Sequence, residues 1–196
     1  MVPETFKGTR DVHGDDMRFK QHVIAIIRDT FTTFGFEELE TPTIEKEKTL
    51  QGKYGEEGEK LIFRLKEIHE GGLRYDHTVP LARFMAANNR ELVLPYRRFA
   101  IGSVYRAEKP QAGRFRQFTQ CDFDTVGSNS LVLDAEIVAI NYMVLSRLGF
   151  TNEYEIQMND RRLLDALARE VGFDHPDTIM AVFRTWDKLD KISSEE

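Results

Sequence analysis

Cysteine is nearly absent: Cys121 stands alone, which excludes an intrachain disulfide and a cysteine-based zinc site. The five histidines (His13, His22, His69, His77, His175) include no i, i+4 pair and no HExxH, so no histidine metal site is expected either. No apolar run approaches the ~20 residues that span a bilayer, and no apolar stretch follows a basic start. The expectation is a soluble, cytoplasmic protein with no membrane partner. Positive charge is also in deficit, with 27 Lys and Arg against 33 Asp and Glu, a net charge of -6. Long-range repulsion then opposes broad affinity for nucleic acid or anionic lipid, so any polyanion must be met by a local patch.

What is present is a chain of 196 residues, 41% hydrophobic and 31% charged, enough to bury a core as one domain with room for an appendage. Residues 1 to 14 read as an irregular lead-in. Asp15 or Asp16 is expected to cap a helix whose apolar positions Phe19, Val23, Ile26, Ile27, Thr30, Phe31 and Phe34 recur at helical spacing until Gly35. FEELETPTIE reads as extended, with Pro42 confining it to an edge or an end. Residues 51 to 60 read as a mobile loop, and LIFRL with GGLRYDHT as a short hairpin. Pro80 fits the first turn of a following helix. Two long strands are expected at 96–106 and 115–126, helices near 131–148, 160–171 and 176–185, and a strand at EYEIQM. Tight loops between neighbouring strands make the fold class α+β.

One stretch concentrates the missing positive charge. VYRAEKPQAGRFRQFTQCDFD, residues 104–124, carries Arg106, Lys109, Arg114 and Arg116, with Arg98 nearby. Strand parity puts Ala100, Gly102, Val104, Arg106 and Glu108 on one face, and Phe118, Gln120, Asp122 and Asp124 on one face of the next strand. Matching the polar sets gives a shared face with Arg106, Glu108, Phe118, Gln120 and Asp124. A solvated face of ion pairs would look similar. Three features favour a ligand: Gly102 leaves space above the sheet, arginine offers a fork for carboxylate or phosphate, and Phe118 offers a stacking surface. In LRYDHTVP, Arg74, Asp76 and Thr78 share a face. Asp76 and Thr78 suit an ammonium group, although either also serves as a cap for the helix at Pro80.

The ordered segments GTRD (8–11), GFEELETPTIE (35–45), LRYDHTVPLAR (73–83) and VYRAEKPQAGRFRQFTQCDFD (104–124) resemble the histidyl-tRNA synthetases, over most of the chain. The last segment is similar to class II motif 2, through Arg106, Glu108, Arg114 and Phe118. The helix at about 16–34 with the strand around Pro42 resembles motif 1, which implies a homodimer. LRYDHTVP and QCDFD look like the eukaryote-type version, except that His77 stands where that version usually has an apolar residue. The implied fold is a class II aminoacyl-tRNA synthetase core, a mostly antiparallel sheet flanked by helices.

The resemblance implies activation of L-histidine by ATP, with Mg2+, and transfer to tRNA(His). Arg106 would be catalytic, touching the histidine carboxylate and the α-phosphate. Glu108 would face the adenine amino group or the tRNA end, Arg114 the outer phosphates, and Phe118 the adenine ring. Asp76, Thr78 and Gln120 would receive the α-ammonium group and Asp124 the imidazole. Asp122 shares the parity without an implied role. Residues 1–185 would be a partial catalytic domain with motifs 1 and 2, and 186–196 the start of an insertion region or linker. Motif 3 and an anticodon-binding domain are not found, so the chain is expected to be a catalytic-core part of a longer enzyme, weakly active or inactive alone. The alternative is a synthetase-like histidine-sensing regulatory subunit or domain, for which phosphate-binding arginines have no use. A bare dimerisation scaffold is a third reading, against which the full motif 2 set stands.

Overall fold

The computed structural model describes residues 3–51 and 59–189. Helix α1, Gly14–Thr33, ends in a Schellman motif. Gly35 sits at φ +78°, its N–H donates to Thr32 O (2.9 Å), and the Phe36 N–H donates to Phe31 O (3.1 Å). The start differs from expectation. His13 is the N-cap residue, and Asp15 and Asp16 lie inside the first turn, where their charge suits the helix dipole.

Strand β1, Glu37–Glu38, and strand β2, Ile44–Lys46, flank Pro42. Each is an edge strand, of a different sheet, which is where a residue without an N–H is tolerated. β2 runs into a single turn, α2 (Glu47–Leu50). Strands β3 (Phe63–Arg64) and β4 (Gly71–Leu73) pair antiparallel, and β2 pairs antiparallel with the other side of β4. The loop expected at 51–60 falls almost wholly outside the described residues. Helix α3, Thr78–Ala87, follows with Pro80 in its first turn.

The central hairpin is β5, Tyr96–Tyr105, against β6, Gln117–Val126, antiparallel over ten residue pairs, with β1 parallel to β5 on the far side. Its odd-numbered face is core. Phe99, Ile101, Cys121 and Phe123 pack with Phe31 and Phe36 and with Ile140 of helix α4, Leu131–Arg147. Arg147 of α4 reaches back to α1, donating to Asp29 Oδ2 (2.5 Å) and Thr30 Oγ1 (3.0 Å). A second cluster, Leu50, Ile62, Tyr75 and Val79, lies under the smaller sheet. The apolar stripe of α1 is buried only towards its C-terminal end: Phe31 is 3% exposed and Phe19 is 70% exposed.

The chain divides into two compact units, residues 1–153 and 154–196. In the second, helices α5 (Arg161–Glu170) and α6 (Pro176–Leu189) carry buried Ala168 and Ile179. Asp160 caps α5, accepting the Arg162 N–H at 2.9 Å. EYEIQM is not a strand. Its alternation of Tyr154, Ile156 and Met158 has the right period, but no other described segment pairs with it, and a strand without a partner leaves its N–H and C=O groups unmet.

Candidate amino-acid and nucleotide site

The register of the hairpin fixes which side chains share a face. Arg98 stands opposite Asp124, Ala100 opposite Asp122, Gly102 opposite Gln120, and Val104 opposite Phe118. Directly opposed residues of an antiparallel pair lie on the same face, so the even-numbered polar sets of the two strands do meet. The strands end at Tyr105 and Gln117, with one further backbone bond from the Arg106 N–H to Arg116 O (2.8 Å), so Arg106 sits at the hairpin end and Glu108 in the loop.

Residues 74–87 cross this face. Arg106 Nε donates to Tyr75 O (3.2 Å) at one end. Arg98 Nη2 donates to His77 O (3.2 Å) further along, and the rings of Phe84 and Tyr96 stack at 5.9 Å beyond it. The Arg74 guanidinium anchors the crossing, with Nε donating to Ser103 O (3.0 Å) and Nη1 to Thr41 O (2.6 Å). Asp76 and Thr78 are thereby held over the hairpin that carries Arg106, Phe118, Gln120 and Asp124. Asp76 Oδ1 also accepts the Val79 N–H at 3.0 Å, so the carboxylate caps α3 as well.

Gly102 has a different role from the one its sequence context suggests. A Cβ there would come within 2.9 Å of Arg74 Nη2 and 3.5 Å of His77 Cε1. The missing side chain makes room for Arg74 and the His77 ring, not for open space. His77 is 2% exposed. Burial first, then the positive charges of Arg74 and Arg98, push its pKa down to about 4, against a smaller opposing effect of the Gly102 backbone and Asp76. The imidazole is neutral, and neither ring nitrogen has a partner of hydrogen-bond geometry.

The loop end is more open. The Arg106 guanidinium lies 5.0 Å from the Phe118 ring centroid, a cation–π distance. Arg114 Nη1 lies 3.6 Å from Glu108 Oε2, with the Arg114 side chain 61% exposed. Arg116 fixes the loop base: its Nε donates to Glu108 O (3.1 Å), and its backbone N–H donates to Gly8 O (2.7 Å), docking the GTRD segment.

Arg98 and His77 are the site residues that motif reading did not absorb. Parity carried as far as residue 98 would have paired Arg98 with Asp124. Arg98 Nη2 and Asp124 Oδ2 are 2.7 Å apart, an ion pair at an angle outside hydrogen-bond geometry, which leaves Asp124 Oδ2, Arg98 Nε and Nη1, and Gln120 Oε1 buried without hydrogen bonds. A groove of about 660 Å³ against the odd face of the hairpin gathers Phe19, Val23, Ile27, Thr119 and Cys121, and Phe118 of the even set also lines it. It holds none of these unpartnered atoms, so the chemistry is assigned to the even face. Among the described residues, no three His, Cys, Asp or Glu side chains are grouped to hold a metal, and no helix is long and apolar enough to cross a membrane.

Comparison with known proteins gives a consistent result. A family model described as Histidyl-tRNA synthetase matches residues 8–193. A histidine–tRNA ligase of Aeropyrum pernix is 43% identical over 198 residues, covering 98% of this chain and 44% of the relative. One of Phocaeicola vulgatus is 38% identical over 213 residues, covering 96% and 46%. The crystal structure of histidyl-tRNA synthetase from Nostoc sp. PCC 7120 superposes with a TM-score of 0.85 at 29% identity, covering 98% of this chain and 43% of that one. The chain thus spans less than half the length of the curated relatives it matches.

Proposed function

This chain belongs to the histidyl-tRNA synthetase family, and from that premise we propose that it supplies the histidine- and ATP-binding half of a histidine–tRNA ligase. The architecture is the helix-flanked, mostly antiparallel core of a class II aminoacyl-tRNA synthetase. The observation that supports the proposal is the crossing of residues 74–87 over the hairpin, where Arg106 holds Tyr75 O and Arg98 holds His77 O on either side of Asp76. In this reading Asp76, Thr78 and Gln120 receive the α-ammonium group of L-histidine and Asp124 receives its imidazole. A carboxylate acceptor discriminates strongly against apolar isosteres, because they would leave it buried and unpaired.

Arg106 is the catalytic group of the proposal. Half-buried and held to Tyr75 O, it would touch the histidine carboxylate and the ATP α-phosphate together. That contact holds two like-charged reactants within reach and offsets charge as the phosphorus is attacked. Phe118 would stack on adenine, Glu108 would face the adenine amino group or the tRNA end, and Arg114 would meet the outer phosphates. The exposure of Arg114 suits a group that closes on the nucleotide. Mg2+ is expected with the ATP, bound through its phosphates, and no residue is assigned to it. The aminoacyl-adenylate would then pass to tRNA(His) in the complete enzyme. Residues 1–185 are assigned to the catalytic domain and 186–196 to the start of an insertion region or linker. A homodimer through α1 and the Pro42 segment is proposed, in line with the exposed apolar start of α1, as is a cytoplasmic location.

A histidine-sensing subunit without ligase activity is not favoured, given ligases as the relatives and an intact Arg106, Glu108 and Arg114 set. The deciding experiment is Arg106→Ala, assayed by histidine-dependent pyrophosphate exchange in the complete enzyme. Loss of a transition-state charge contact should cost on the order of 3 kcal/mol, a rate loss of about a hundredfold or more. A rate within a few-fold of the parent would remove Arg106 from its role. Thermal stabilisation of this chain by ATP and histidine together, beyond histidine alone, separates ligase from sensor.

A further inference from the structure

Arg98 is the most enclosed basic side chain of the even face, 1% exposed. Desolvation lowers its pKa, while Asp124 and then Asp122 favour its charged form. A guanidinium carries five N–H donors in a rigid fork, yet here Nε and Nη1 lack partners. Buried donors and acceptors without partners are uncommon, and each calls for an explanation. In this protein those of Arg98, Asp124, Gln120 and His77 fall on one face of one hairpin and on the segment crossing it. Such a set of donors and acceptors suits a polar ligand.

Within that set Arg98 touches both ends of the pocket. One nitrogen, Nη2, lies 2.7 Å from Asp124 Oδ2 and donates to His77 O at 3.2 Å, on the segment that carries Asp76 and Thr78. The geometry points to Arg98 as a positioning residue for substrate selection: it holds the Asp124 carboxylate at a fixed distance and angle from the ammonium-binding segment. The span between the two then matches a histidine whose imidazole N–H is given to Asp124. This rests on the proposed reading of Asp124 as the imidazole receptor. An aspartate alone at this position would turn freely about its side-chain bonds and accept any donor. Lysine in place of Arg98 would keep the charge but lose the fork that sets the carboxylate plane.

The test is calorimetric binding of L-histidine, of histidine methylated on a ring nitrogen so that it lacks the N–H, and of ATP. The proteins are the parent chain, Arg98→Met, Arg98→Lys, Asp124→Asn and the double variant Arg98→Met/Asp124→Asn. Expected for Arg98→Met is an affinity loss of tenfold or more for L-histidine, with ATP affinity within twofold and the preference for histidine over its methylated form falling towards one. Arg98→Lys should give an intermediate preference, and the double variant should bind no worse than Asp124→Asn. A purely structural role would weaken both amino acids alike, so an unchanged preference in Arg98→Met overturns the proposal. If that variant does not fold, an unchanged preference in Arg98→Lys overturns it. Loss of histidine affinity in Asp124→Asn but not in Arg98→Met sinks this inference and leaves the Asp124 reading standing. Undiminished affinity in Asp124→Asn, measured in this chain or, if it does not bind histidine, in the complete enzyme, removes both.

Discussion

His77 is a buried histidine whose ionisation ties the stability of this region to pH. Burial first, and then the charges of Arg74 and Arg98, push the pKa of its imidazole down to about 4 from 6.5, against smaller opposing effects of the Gly102 backbone and Asp76. The unfolded chain therefore binds a proton between those values that the folded chain refuses. Stability is fully present above pH 6.5 and falls as the pH drops towards 4. Between pH 7.5 and pH 5 this group should remove about 2 kcal/mol. His77→Leu, with urea midpoints measured at both pH values, should show a pH 5 penalty smaller by that amount. Equal penalties in the two proteins would mean that the ring titrates normally. Arg74 explains Gly102, since a methyl group there would strike a guanidinium already committed to Ser103 O and Thr41 O.

Among elements, α3 is tied to the smaller sheet by a buried charge pair. Arg83 on α3 makes a forked pair with Glu45 on β2, with contacts of 2.7 to 3.0 Å, and Glu45 is 6% exposed. Removing the cation strands a buried carboxylate. Arg83→Met should cost about 3 kcal/mol in chemical denaturation, whereas Arg83→Met with Glu45→Leu should recover much of it. A single variant as stable as the parent would show that the pair is not what seats α3. The central hairpin works differently: its odd face is packed against α1 and α4, so a one-residue slip would turn Phe99 and Phe123 outward and is strongly opposed.

For the whole molecule, the division at Glu153 bears on where stability resides. Both apolar clusters, the one around Phe31, Phe99 and Ile140 and the one around Leu50, Tyr75 and Val79, lie within residues 1–153. A chain ended at Glu153 should therefore fold cooperatively, with a sigmoidal thermal transition by circular dichroism and retained near-ultraviolet signal from its aromatic core. A broad transition without near-ultraviolet signal would place an essential part of the core in residues 154–196.

The sequence by itself determined the elements whose information is local. Helical spacing and Gly35 defined α1, Pro42 confined its extended segment to an edge or an end, and alternation with a turn defined the long hairpin and its even polar face. The motif spacing around Arg106, Glu108, Arg114 and Phe118 carried the family. What only the tertiary structure decided involves partners far apart in the chain. Gly102 looked like cleared space until residues 74 and 77 were seen above it. Parity already puts Arg98 and Asp124 in the even set, but their 2.7 Å approach and the burial of Arg98 come from the register and from the segment packed over it. EYEIQM had a strand's period without a described partner. Periodicity follows from the geometry of one backbone, whereas burial, ion pairing and strand pairing depend on which distant segment arrives alongside, and that is settled by packing.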